Sequence, residues 1–317
     1  MKQYSFTTAL LILCISAIIP ATAQSLIQQP GHYAINFGTH RIIALSDGIF
    51  PAPAFSLLKD ADSADVAGSL HHAFLPDTVE TSINCYLIVS GKRLILVDAG
   101  CGTQLGNNSG KLLMNMKAAG YEPAQVTDII ITHLHIDHAS GISEGEKPLF
   151  PNAKIYVNSK DLNFWKSHAT PDKNEHWGIT LNRPAYKALQ PYISKGKVVG
   201  FGDGEEILPD LTAYDYSGHT SGHTVFMLRS GNKQLVFWGD LIHIAAVQLV
   251  HPEMAVEFDL DKLQAIAQRR RALEEAAKTE YLIAAAHIGF PGIGRIRRND
   301  LEYRWYPVSY SPTGNDR

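Results

Sequence analysis

Three histidines and an aspartate fall within the six residues His133-Leu134-His135-Ile136-Asp137-His138, directly behind the apolar run Asp128-Ile129-Ile130-Ile131. Such a run predicts a buried strand, and the polar groups then stand at its C-terminal mouth. In extended chain His133 and His135 share a face, because alternate side chains do. A turn into a helix would aim Asp137 and His138 at the same spot from another direction. Imidazoles and a carboxylate packed this closely suit a divalent transition metal, zinc most readily. A lone histidine at a strand end is more often hydrogen-bonded surface or core; this spacing of four groups is not explained that way. The chain must bury a sheet and still open one end of it around a cation.

With 317 residues, 45% of them hydrophobic, the chain can build a large multi-layer core. Residues 1–23 stand apart. Lys2 precedes an apolar stretch that ends in Ala21-Thr22-Ala23, which predicts a secretory signal peptide cleaved before Gln24. That stretch is shorter than the roughly 20 apolar residues needed to span a bilayer. The expectation is an exported protein, periplasmic or secreted, with no membrane anchor after cleavage and a single domain over residues 24–317. Loss of the leader removes one lysine, leaving 27 basic against 31 acidic side chains. That balance excludes an electrostatic case for nucleic acid. Cys85 and Cys101 remain; an oxidising compartment permits a disulfide, and two free buried thiols fit equally.

The chain repeats one layout. Residues 84–89 and 94–98 form two apolar runs around Ser90-Gly91-Lys92 and end at Asp98; residues 224–228 and 235–240 do the same around Ser230-Gly231-Asn232-Lys233 and end at Gly239-Asp240. Both read as hairpins, and together as a weak internal duplication that places Asp98 and Asp240 at comparable strand ends. Helical spacing is expected over residues 111–119, 159–168 and 184–193, and strands over 42–45, 153–157, 211–214 and 281–284. Residues 51–81, with three prolines and the solvated pair His71-His72, read as a long functional loop. Asp259 is expected to cap an amphipathic helix on Leu263, Ile266, Leu273 and Ala277, its Arg269-Arg270-Arg271 run forming a solvated, ion-paired face. Alternating strands and helices indicate an α/β or α+β layered fold.

Further candidates stand where strands end in open loop: His219 in Gly218-His219-Thr220-Ser221-Gly222-His223, then Asp240, His243 and His287. Without His243, these and the opening motif supply five histidines and two aspartates, enough for two adjacent cations. Over residues 35–310 the chain resembles the metallo-β-lactamase superfamily, through Val97-Asp98-Ala99-Gly100, the His133–His138 motif, residues 218–223, Gly239-Asp240 and His287. The resemblance implies a four-layer αβ/βα sandwich with its metals at one edge. It implies that His133, His135 and His219 hold one ion, that Asp137, His138 and His287 hold the other, and that Asp240 bridges them. Asp98 would orient ligands, and His223 would be structural. Antibiotic-hydrolysing members place Arg at the position of His138 and a Cys ligand near that of Asp240, so β-lactam hydrolysis is not expected. Oxygen-reducing diiron members carry Glu where His135 stands, which argues against redox chemistry.

Residues 239–248 and 281–294 are similar to the methyl parathion hydrolases and to exported acyl-homoserine-lactone lactonases. By that similarity Leu105 and Trp165 line an apolar pocket, although Trp165 fits ordinary core equally well. The reading is a metal-dependent hydrolase in which two ions acidify a shared water and polarise the substrate oxygen. Asp137 belongs to the catalytic set through its place beside the ions. Asp240 would carry a proton to the leaving oxygen, and His243 would donate to the substrate carbonyl or merely pack behind the site. The favoured substrate is an acyl-homoserine lactone or related ester, with an organophosphate triester second; a metal- or ligand-binding protein without turnover is the non-enzymatic alternative. A homodimer is the family analogy if residues 51–81 cover a partner.

Overall fold

The computed structural model describes residues 29–173, 175–300 and 302–314; the leader expected in residues 1–23 lies outside them. Among the described residues no helix is long and apolar enough to cross a membrane. Two seven-stranded sheets organise the chain. The first contains β1 (His32–Phe37), β2 (His40–Pro53), β3 (Thr78–Ser90), β4 (Arg93–Val97), β5 (Asp128–Ile130), β6 (Lys154–Asn158) and β7 (Val198–Phe201), adjacent in that order. The second contains β8 (Glu206–Leu208), β9 (Leu211–Asp215), β10 (Thr224–Ser230), β11 (Lys233–Phe237), β12 (Leu282–Ala284), β13 (Ile293–Asn299) and β14 (Glu302–Pro307), again adjacent in order.

The repeated hairpin of the sequence occupies matching places in the two sheets. β3 pairs antiparallel with β4, which pairs parallel with β5; β10 pairs antiparallel with β11, which pairs parallel with β12. Both faces of these central strands are apolar because both are covered. Between the sheets lie Ile42, Ile88, Ile95, Ile130, Phe226, Phe237 and Leu282. Outside the first sheet, Leu87, Leu96, Ile129 and Ile155 meet α2 (Leu112–Ala118), α4 (Ser159–Ser167) and α5 (Trp177–Ile193) through Met116, Trp165 and Leu189. Outside the second sheet, Val236 and Ile283 meet α6 (Lys262–Thr279) through Ala272, Leu273 and Ala276. The result is the four-layer αβ/βα sandwich.

The helix expected over residues 184–193 starts earlier, at Trp177, and two further elements depart from expectation. Residues 51–81 are not a loop. β2 and β3 run on past the sheet, pairing as far as Pro53 with Thr78, and enclose α1 (Ser63–His72), with His71 and His72 exposed at its end. Leu57, Val66, Leu70 and Val79 there build a small core with Ile244, Val247 and Met254. The prolines misled because strand extensions beyond a sheet tolerate them. On α6 the buried stripe is Ala265, Arg269, Ala272, Leu273 and Ala276, whereas Leu263 is 81% exposed. The cap is Asp261, whose carboxylate accepts from the Gln264 amide; Asp259 is buried elsewhere.

Strand direction gathers the polar residues at one edge. β4, β5, β11 and β12 all end there, so Asp98, His133, Asp240 and His287 follow the C-terminal ends of four central strands. β10 runs the opposite way, and the loop before it carries His219 and His223 to the same edge.

Candidate metal centre

β5 delivers His133 and His135 to this edge, after which one short helical turn, α3 (Ile136–Ala139), aims Asp137 and His138 inward. Asp161 in the first turn of α4 accepts from the Leu134 amide (2.9 Å), and Asn182 of α5 accepts from the Ile136 amide (2.9 Å). The loop holding two of the histidines is thereby pinned from outside. Asp161 also accepts from the Gly222 amide (2.6 Å) and the Thr220 hydroxyl (3.0 Å), tying that loop to the one bearing His219.

Asp240 lies at the centre. Its Oδ2 faces His133 Nε2 at 3.6 Å and His219 Nε2 at 3.2 Å; His219 Nε2 is in turn 3.0 Å from His135 Nδ1. Its Oδ1 faces His138 Nε2 at 2.9 Å and His287 Nε2 at 3.0 Å, and these lie 3.6 and 3.4 Å from Asp137 Oδ2. One carboxylate thus presents one oxygen to each of two ligand groups, His133/His135/His219 and Asp137/His138/His287. All seven side chains meet, from stretches more than 150 positions apart.

Buried polar atoms are normally hydrogen-bonded. Here the Nε2 atoms of His133, His138 and His287 and Oδ1 of Asp240 have no hydrogen-bond partner. Close approach without hydrogen-bond geometry, among nitrogen and oxygen donors, is what cations between them would explain. The residues fit two divalent ions.

Electrostatics agree with a site built for positive charge. Burial, then the His138 ring, push His133 well below the ordinary imidazole range; burial and His219 do the same to His135. Both shifts favour the neutral ring, the form in which an imidazole can hold a metal. Burial opposes the charged form of His219 as well, but Asp240 and Asp259 outweigh it and lift the ring to about 9. Burial acts to raise Asp240, yet the surrounding imidazoles hold it well below the carboxylate range.

Ligand orientation is set from behind. Asp98, at φ 56°, accepts from the Thr132 amide and hydroxyl (2.8 Å each) and from His138 Nδ1–H (2.8 Å). His287 donates from Nδ1 to the Ser82 carbonyl (2.7 Å), and His219 donates from Nδ1 to Asp259 (2.8 Å). In each case Nδ1 is engaged behind the ring and Nε2 faces the centre, where a cation would displace any proton it carries. His223 donates to the Tyr216 carbonyl (3.2 Å) and accepts the Asp240 amide (2.9 Å), which suits a ring that burial pushes down to about 3. Gly239, at φ 55°, admits that contact: a Cβ there would lie 2.7 Å from His223 Nε2.

The centre opens into a cavity of about 240 Å³ walled by Phe50, Pro51, Leu105, Leu181 and Phe258. His135, Asn182 and Phe258 separate it from a second cavity of about 230 Å³ that includes Phe164, Trp165 and Ile179. Trp165 is both core and wall: it is 2% exposed and meets His135 edge-on at 6.4 Å between ring centres. Phe50 stands edge-on to His287 at 5.4 Å. His243 lines the first cavity and directs Nε2 at Asp240 Oδ2, 3.0 Å away.

Residues 78–287, two thirds of the chain and ending on His287, match the metallo-beta-lactamase superfamily. The chain belongs to that superfamily. A hydrolase of the superfamily, AbOPH, is 34% identical, with a TM-score of 0.84 over 90% of this chain and 100% of that one. AidC, a dizinc quorum-quenching lactonase solved with a product, N-hexanoyl-L-homoserine, is 26% identical, with a TM-score of 0.81 over 89% of this chain and 98% of that one. An N-acyl homoserine lactonase of Bacillus thuringiensis is 25% identical over 160 residues, 44% of this chain and 55% of that protein. The chain thus spans little more than half the length of that curated relative.

Within this superfamily member, sequence reading missed Asp161, Asn182, Asp259, Arg269 and Phe50. Asp161, Asn182, Arg269 and Phe50 sit on elements of ordinary pattern and Asp259 in the loop before α6, and only the third dimension brings them to the centre. The Arg269-Arg270-Arg271 run divides: Arg271 pairs with Glu275 in solvent (2.9 Å), whereas Arg269 is 1% exposed. Cys85 and Cys101 are both free and buried, which decides between the two alternatives.

Proposed function

We propose that this protein is a hydrolase using two divalent metal ions, zinc in the first instance, to open the lactone ring of acyl-homoserine lactones or related esters. The observation that carries the reading is Asp240, one oxygen toward each ligand group, at the mouth of an apolar-walled cleft. His133, His135 and His219 would hold one ion, Asp137, His138 and His287 the other, with Asp240 shared. When bound, the ions would acidify a water and polarise the scissile carbonyl.

The chain's own groups do the rest. The two cavities adjoin across Phe258 and Asn182, and joined they reach the size of a small-ligand site. A polar ring against the centre and an apolar chain along Leu105, Leu181 and Trp165 match that division. Asp240 is placed to carry a proton toward the leaving oxygen. His243, neutral because burial lowers it, has one N–H to share between Asp240 and a substrate oxygen.

The AidC likeness supports a lactone. The same walls accept an aryl group, and the similarity of residues 239–248 and 281–294 to methyl parathion hydrolases supports a phosphotriester as the second reading. Simple metal storage does not call for a carboxylate shared at the mouth of an apolar cleft. A leader in residues 1–23, as the sequence leads one to expect, would direct export, which cell fractionation would check. The deciding measurement is kcat/KM on a lactone panel beside methyl parathion, with metal content determined on the same preparation. Lactone turnover with two ions per chain is expected; turnover of the triester alone would transfer the assignment.

A further inference from the structure

His219 is held by a buried ion pair, Asp259 with Arg269. Its Nδ1–H donates to Asp259 Oδ1 at 2.8 Å; Asp259 Oδ2 accepts the Val256 amide at 2.9 Å and lies 3.6 Å from the Arg269 guanidinium. The Asp259 and Arg269 side chains are 0% and 1% exposed. Arg269 reaches inward from α6 and donates to the carbonyls of Leu241 (2.7 Å), Met254 (2.9 Å) and Pro252 (3.1 Å). Leu241 adjoins Asp240. Met254 O also accepts from Gln248, whose Oε1 takes the amides of His243 (2.8 Å) and Ile244 (3.2 Å). Three stretches of the centre therefore converge on one arginine.

The backbone reinforces the link. The amides of Leu260 and Asp261 donate to the carbonyls of His219 (3.1 Å) and Gly218 (2.8 Å). Gly218, at φ 141°, allows this closeness: a Cβ would meet the Ala265 amide nitrogen at 2.4 Å. A planar fork with several donors can serve these acceptors at once, which an ammonium cannot do.

We propose that Asp259 and Arg269 are positioning residues that hold His219, and with it the cation of the His133/His135/His219 group. The inference rests on the two-cation reading. A carboxylate behind a ligand histidine fixes its tautomer and raises its basicity, and loss of such a partner typically costs about 10–100-fold in metal affinity. The opposite group has separate supports, Asp98 behind His138 and the Ser82 carbonyl behind His287. Damage at Asp259 is therefore confined to one cation.

Chelator titration of the zinc-loaded protein tests this. Wild type should release its cations in two phases, and His135→Ala should abolish one of them. Asp259→Asn, which keeps shape and loses charge, should weaken that same phase about 10–100-fold and leave the other within about twofold. Arg269→Lys, which also loosens the Leu241 carbonyl beside the shared Asp240, should weaken the same phase most and the other to a smaller degree. Melting of the metal-free variants separates a misfolded chain from a loosened ligand. Equal weakening of both phases, or none, would overturn the inference. Wild type that takes up fewer than two cations would remove the two-cation reading, and the inference with it.

Discussion

Asp240 owes its place to neighbours that never touch a substrate: the His223 ring on its amide, the absent side chain of Gly239, and the Arg269 fork on the following carbonyl. His243 differs from the seven proposed ligands, because it faces both Asp240 and the cleft. Removing a donor aimed at developing negative charge typically costs about 10²–10³-fold in kcat. His243→Ala is therefore expected to lower kcat toward that range while retaining both metal ions, as steady-state kinetics and metal analysis would show. Loss of a metal ion in that variant would instead make His243 a ligand, a position its distance to Asp240 also allows. The histidine motif was legible in the sequence because its members are adjacent. Asp259 and Arg269 were not, because a buried charge is written in the same letters as a solvated one, and only its partners distinguish them.

At the scale of elements, strands were easier to read than their company. The two Ser-Gly hairpins became β3–β4 and β10–β11, and the helices expected over 111–119 and 159–168 formed within a residue or two. The face of α6 was misjudged, since its alanines carry little pattern and its buried stripe runs through an arginine. That helix ends at Glu280, held at φ 53° in the left-handed region, where glycine is preferred. A side chain there costs about 1–2 kcal/mol. Glu280→Gly should accordingly raise stability by about 1 kcal/mol in urea unfolding, with activity unchanged. The exposed Arg297 pair that it removes contributes little.

For the whole molecule, the two halves meet at the centre: the first sheet supplies His133, His135, Asp137 and His138, the second His219, Asp240 and His287. Ions held between them would cross-link the sandwich. Free ligand at 100 times its dissociation constant stabilises a fold by about 2.7 kcal/mol, so chelation should lower the melting temperature and added zinc restore it. The sign of the accompanying proton flow follows from His219. Lifted to about 9 in the metal-free protein, its ring is protonated near neutral pH, below that value, and must lose the proton to become a ligand. Zinc uptake should therefore release protons, seen in calorimetry as a binding heat that changes with the ionisation enthalpy of the buffer.

The family, the strand ends and the ligand types were written in local order: apolar runs set the strands, and adjacent histidines set the chemistry that could follow them. Tertiary structure alone decided which oxygen of Asp240 faces which histidines, that residues 51–81 extend a sheet whose strand puts Phe50 and Pro51 on the cleft wall, and that one of three arginines turns inward. The physical reason is the same in each case. A linear pattern records burial and periodicity within one element, whereas hydrogen bonds and ion pairs between distant elements depend on how those elements cross.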